Sequence, residues 1–116
     1  MSRLESVRKL KATDAVESFD CGQVALNQFL QRHALNNQRA NSAQTYVCCD
    51  GEAVVGFYSL TVGSVDHPSA PERVAKGLAR HPVPVMILAR LAVDQSFQGN
   101  GLGRALLKDA LRRTLL

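Results

Sequence analysis

A chain of 116 residues, 46% of them apolar, can build one domain around one core. It has no run of eighteen apolar residues, and Met1–Glu5 lacks a signal peptide's apolar stretch, so the expectation is a cytoplasmic protein with no membrane span. The net charge of +4 is uneven: residues 73–116 hold eight of the 14 basic and only two of the 10 acidic residues, which suits a polyanionic partner, coenzyme phosphates or solvent alike.

Arg3–Lys11, with Leu4, Val7 and Leu10, predicts an edge strand or a short helix. Asp20-Cys21-Gly22 reads as a helix entry or turn. Leu26, Phe29, Leu30 and His33 then fall at i, i+3, i+4 and i+7, which predicts an amphipathic helix ending in the polar run Asn36–Ser42. On that stripe His33 is expected as a packed core-edge side chain rather than a catalytic base. Thr45–Cys49 and Val54–Val62 are strand-prone and flank Asp50-Gly51, a hairpin turn signal. Tyr46 and Tyr58 sit mid-strand, where packing is expected although a phenol can serve as a general acid.

A loop should follow from Val65 to Pro82, with a short basic helix from Pro71 to Ala79. His67 and His81 fall in it. They form no metal-ligand cluster, and Cys21, Cys48 and Cys49 have neither an even disulfide count nor a zinc spacing. Reduced thiols and no metal are expected. Pro84 opens the central strand. Ile87–Val93 is nearly continuous apolar sequence, as for a strand buried on both faces. From Arg104 the pattern is helical, with Leu106, Leu107, Ala110, Leu111 and Thr114 on one face. There is no internal repeat.

Between strand and helix lie Gly99, Gly101 and Gly103. Glycines allow a tight turn and close approach of a ligand to the backbone, and the following helix start offers unpaired N–H groups and a positive dipole end. That combination predicts an anion site, most often for phosphate. A Walker loop would continue Gly-Lys-Ser/Thr, but here the chain runs Gly103-Arg104-Ala105. A dinucleotide fingerprint counted from Gly99 would end on Arg104, which is not glycine, and it usually follows a domain's first strand.

The pattern Gln98-x-x-Gly101-x-Gly103, directly after an apolar strand, resembles the pyrophosphate loop of the GNAT acyltransferase superfamily. The fold class this implies is α/β (α+β), a mixed, mainly antiparallel sheet with flanking helices. Leu26-Asn27-Gln28-Phe29-Leu30, Asn37-Gln38, Thr45-Tyr46-Val47, Gly56–Leu60 and above all Leu88–Asp94 are similar to the GNAT toxins of bacterial type II toxin–antitoxin modules. Those toxins acetylate the α-amino group of the amino acid on charged tRNA and stop translation. Their usual partner is a ribbon-helix-helix antitoxin that also binds operator DNA.

The resemblance implies acetyl-coenzyme A as co-substrate. Its pantetheine arm would lie against backbone groups of Leu91, Ala92 and Val93. Its diphosphate would sit on N–H groups of Gln98, Gly99, Asn100, Gly101, Leu102, Gly103 and Arg104, with the Arg104 side chain adding charge. Residues 1–116 would then be the N-terminal two-thirds of a GNAT domain, lacking the C-terminal strands. The family's general-acid tyrosine would lie beyond Leu116, leaving no catalytic residue in this chain. Two classes of function therefore compete: an aminoacyl-tRNA N-acetyltransferase, or a non-catalytic fragment that binds antitoxin, coenzyme or nucleic acid. A homodimer is an option, since the final helix would lack part of its covering surface. Arg90 interrupts the apolar strand. It is expected either to pair with Asp94 or Asp66, or to meet tRNA phosphates together with Arg73 and Arg80.

Overall fold

The computed structural model describes residues 4–65 and 83–115. The loop expected after Val65, with Asp66, His67, Arg73, Arg80 and His81, lies outside them. Four strands pair in the order β1-β2-β3-β4, all antiparallel: β1 Arg8–Lys9, β2 Gln44–Asp50, β3 Ala53–Val65 and β4 Val83–Val93. The segment before the first helix thus contributes a two-residue edge strand. Gly51 turns β2 into β3 with φ +64°, the left-handed conformation that a two-residue hairpin turn favours.

The first helical stretch joins α1, Val24–Gln28, a π turn, Phe29–His33, and α2, Ala34–Arg39. In the π turn the Ala34 N–H donates to the carbonyl of Phe29, five residues back. One extra residue per turn advances the inward stripe by one position. Phe29, Leu30 and Ala34 are therefore buried, and His33, expected at the core edge, is exposed.

Two cores lie on opposite faces of the sheet. Phe19, Phe29, Leu30, Ala34, Val47, Phe57 and Ala92 fill the face under α1 and α2, with Phe19 edge-on to Phe57 at 5.5 Å between ring centroids. On the other face α3, Leu102–Thr114, inserts Leu102, Leu106 and Ala110 against Cys48, Val55, Tyr58 and Leu60. Leu107 and Leu111, expected on the same apolar face, are 42% and 52% exposed. Gly56 makes this packing close, since a Cβ there would stand 3.0 Å from Leu106 Cδ1. Cys48 and Cys49 are buried, Cys21 is half-buried, and all three thiols are free.

The expectation that Ile87–Val93 is buried on both faces is corrected. Only Ala92 is fully buried, while Met86, Ile87 and Leu88 are 40–49% exposed. Among the described strands β4 is an edge of the sheet, paired with β3 along its length. An apolar run reports strand propensity; burial depends on what packs over it.

Candidate functional site

Strand β4 pairs with β3 from Gly56↔Val93 to Ser59↔Arg90, and then slips so that Leu60 faces Leu88. Ala89 is the extra residue of this bulge, a device that re-aims a strand and is frequent beside active sites. Alternation places Leu91 and Val93 toward α3 and Ala92 in the opposite core. The strand then enters a 3-10 turn, Gln95–Phe97, and the glycine loop.

Gly99 and Gly101 have φ of +83° and +84°, and Gly101 caps α3 in the left-handed conformation. No heavy atom lies within 4 Å of a Cβ built on either, so it is the backbone conformation that asks for glycine there. Gly103 differs. It is helical, and a Cβ would meet Val93 Cγ2 at 3.7 Å in ordinary contact. The first intrahelical bond runs from the Ala105 N–H to the Gly101 carbonyl. The Leu102, Gly103 and Arg104 N–H groups thus stand at the open end of α3, where the helix dipole favours an anion. The Arg104 side chain is exposed beside them.

Gln98 also has a structural part. Its N–H reaches the Gln95 carbonyl at 3.4 Å, and its side-chain amide donates to the carbonyls of Val93 at 2.8 Å and Cys21 at 3.1 Å. It therefore fastens the loop to the end of β4 and to the turn before α1. Sequence spacing marked Gln98 but not this role, because Cys21 lies 77 residues away.

Two open grooves flank the loop. One, of about 250 Å³, has Cys21, Gln23 and Leu26 along one side, Leu91 to Val93 along the other, and Gln98 at its end. The other, of about 300 Å³, lies between Leu4, Phe97 and the stretch from Asn100 to Ala105. A separate cleft of about 280 Å³ between Leu10–Glu17 and Leu30–Asn36 carries Lys11, Asp14, Glu17 and Arg32 but no cradle of backbone donors.

Arg90 does not pair with Asp94. Its guanidinium carbon lies over the Phe29 ring, while the Asp94 carboxylate accepts from Asp20 and Ser96. Asp66, Arg73 and Arg80 lie outside the described residues, so Arg90 alone of the three arginines is placed, beside the core under the π turn. Tyr58 is packed as expected, stacked on Tyr46 with ring centroids 5.2 Å apart. Its hydroxyl also donates to Asp109 at 2.5 Å and accepts from Arg113 at 2.9 Å. Burial first, then the bond to Asp109, pushes this phenol above its ordinary range. That disfavours proton transfer near neutral pH. No group of three potential metal ligands occurs among the described residues.

Residues 4–115 match the family model described as acetyltransferase (GNAT). The chain is 43% identical over 113 residues to the tRNA-acetylating toxin of Mycobacterium tuberculosis (strain ATCC 25618 / H37Rv), an alignment covering 97% of this chain and 68% of that protein. Among solved structures it resembles AtaT complexed with acetyl-methionyl-tRNAfMet, at a TM-score of 0.78 and 29% identity over 95% of this chain and 68% of AtaT. It also resembles a tyrosine-to-phenylalanine mutant of AtaT bound to the C-terminus of the antitoxin AtaR and acetyl-CoA, at a TM-score of 0.78 and 30% identity over 96% of this chain and 65% of the other.

Proposed function

The chain belongs to the acetyltransferase (GNAT) family, and we propose that it acts as an acetyl-coenzyme A-dependent N-acetyltransferase toxin. Its acceptor is the amino group of an aminoacyl-tRNA, whose acetylation blocks translation. The observation that carries this reading is the glycine loop itself. Two left-handed glycines deliver the chain into α3 with its first N–H groups open, directly after a bulged strand that forms one wall of an apolar groove.

In this reading the diphosphate of acetyl-coenzyme A lies on the backbone from Gln98 to Arg104, with Arg104 adding charge. The pantetheine arm runs along Leu91, Ala92 and Val93. Acetyl transfer needs the thioester carbon held against a neutral amine, an oxyanion stabilised and the leaving thiolate protonated. Residues 1–116 supply the first of these by positioning the coenzyme. The acid is assigned to a tyrosine of the segment that follows in the family. Arg90, with Arg73 and Arg80, is assigned to tRNA phosphates. The relatives' own ligands support the acceptor, the co-substrate and an antitoxin partner. A ribbon-helix-helix antitoxin that carries the complex to operator DNA, a homodimer and a cytoplasmic location complete the proposal.

The test is incubation of a version of the protein that carries the family's following segment with labelled acetyl-coenzyme A and charged tRNA, followed by mass spectrometry of the aminoacyl end. A gain of one acetyl group on the α-amine is expected. Label transferred only to protein, or to none of the charged tRNAs, would refute the proposal.

A further inference from the structure

A loop that only had to bind phosphate would not need the turn Asp20-Cys21-Gly22, 74 residues away, yet the two are bonded at three points. One Asp94 carboxylate oxygen accepts from the Asp20 N–H at 3.0 Å, while the other accepts from the Ser96 N–H at 2.9 Å and the Ser96 hydroxyl at 2.6 Å. The Gln95 N–H donates to the Asp20 carbonyl at 2.8 Å, and the Gln98 amide reaches the Cys21 carbonyl. The turn in turn holds α1. Asn27 donates to the Asp20 carboxylate at 3.0 Å and accepts from the Cys21 N–H at 2.9 Å. Cys21, Gln23 and Leu26, carried by this turn and helix, form the groove wall that faces Leu91–Val93. Loop and wall are thus one hydrogen-bonded assembly, although separate core segments carry them.

We infer that Asp94 is a positioning residue, whose bond to Asp20 sets the wall Cys21–Leu26 at the distance from β4 at which the groove grips the acyl arm of the coenzyme. This rests on the coenzyme reading above. Asp94 itself does not line the groove. Its two oxygens work in opposite directions, one shaping the 3-10 turn through Ser96 and one reaching across the groove's end. Asparagine can replace only one acceptor: its amide oxygen can serve Ser96, but its NH2 then meets the Asp20 N–H donor to donor.

The test uses two ligands: acetyl-coenzyme A, and 3′-phosphoadenosine 5′-diphosphate, which is its nucleotide end without the arm. Calorimetry on wild type, Asp94→Asn and Ser96→Ala should show acetyl-coenzyme A weakened about tenfold by Asp94→Asn alone, with the armless nucleotide unchanged within about twofold. Equal weakening of both ligands would make Asp94 a loop residue and overturn the inference, as would no change in either. If wild type binds neither ligand, the coenzyme reading fails and the inference with it, an outcome distinguished by the loss of nucleotide binding. If Asp94→Asn does not fold, amide hydrogen exchange on wild type decides. Acetyl-coenzyme A should slow exchange at the Asp20 and Gln95 N–H groups more than the armless nucleotide does, and equal slowing overturns the inference.

Discussion

The guanidinium carbon of Arg90 stands 3.8 Å from the centroid of the Phe29 ring, and among the described residues no carboxylate comes within ion-pair reach of it. Phe29 opens the π turn and packs its ring against Phe57 at 6.1 Å. The arginine on β4 is thus held against an aromatic face, with its charge uncancelled by any described acid. A cation held in this way keeps its N–H edges available for phosphate.

Arg90→Gln should therefore cost little stability, about 1 kcal/mol for the lost cation–π contact, and still reduce tRNA affinity. The salt dependence of tRNA binding should flatten by somewhat less than about one unit, because one phosphate contact fewer releases one counterion fewer. An unchanged slope in filter binding, with a thermal midpoint lowered as for a core residue, would return Arg90 to a structural role.

Local signals were legible in the sequence, and pairings across the fold were not. Gly51 announces the hairpin because its left-handed conformation opens the two-residue turn Gly51-Glu52 after the last pair of β2, and the glycine spacing announces the loop for the same reason. The π turn carries no such mark. Leu26, Phe29, Leu30 and His33 fit an ideal helix, and one inserted residue exchanges His33 for Ala34 at the core. The Asp20–Asp94 and Tyr58–Asp109 bonds join residues 74 and 51 positions apart, and only the packed sheet brings them together. The bulge at Ala89 is a matter of register between β3 and β4, which an apolar run does not encode.

The three glycines should not be equivalent. Gly101→Val puts a β-branched residue at φ +84°, which costs on the order of 1–3 kcal/mol and distorts the cap of α3. Acetyl-coenzyme A affinity should fall at least about tenfold by calorimetry. Gly103→Ala adds a methyl in ordinary contact with Val93 and Leu91 and favours the helix by roughly 0.5–1 kcal/mol. Its melting temperature should stay level or rise, with affinity kept. Equal losses in the two variants would mean that the loop's conformation is not what binds the ligand.

Tyr58 should make the protein sensitive to alkali. Burial and the bond to Asp109 raise this phenol in the folded state, so above about pH 10 the unfolded chain loses a proton that the folded chain keeps. Stability then falls as pH rises. Tyr58→Phe removes the hydroxyl and leaves the Asp109–Arg113 pair at 2.8 Å intact. It should cost about 1 kcal/mol at neutral pH and shallow the decline above about pH 10. Burial also raises the Cys48 and Cys49 thiols, so part of the decline should remain, beginning at lower pH. Urea midpoints at pH 8 and above, in both proteins, measure the difference.

At the acid end the sign reverses. Asp14, its side chain 4% exposed, accepts from Arg8 Nη1 at 2.9 Å, Arg8 Nη2 at 2.8 Å and the Lys11 N–H at 2.8 Å. Burial alone would raise this carboxyl, but the bonds from Arg8 and Lys11 outweigh it and hold the group below the usual carboxylate value. Asp94 behaves likewise. Burial opposes ionisation, and the bonds from Ser96 and Asp20 overcome it. A carboxyl lowered on folding contributes stability that is complete above its unfolded value, about 4, and is lost as pH falls through the folded value. Asp14→Asn should therefore destabilise the protein by about 2 kcal/mol at pH 7, since it removes one partner of a half-buried charged pair that ties β1 down. The same variant should lose less than wild type between about pH 4 and pH 2, with the remaining slope carried in part by Asp94. Urea titrations at pH 7, 4 and 3 give both quantities. A variant whose stability falls with acid as steeply as wild type would show that Asp14 is not held ionised by Arg8.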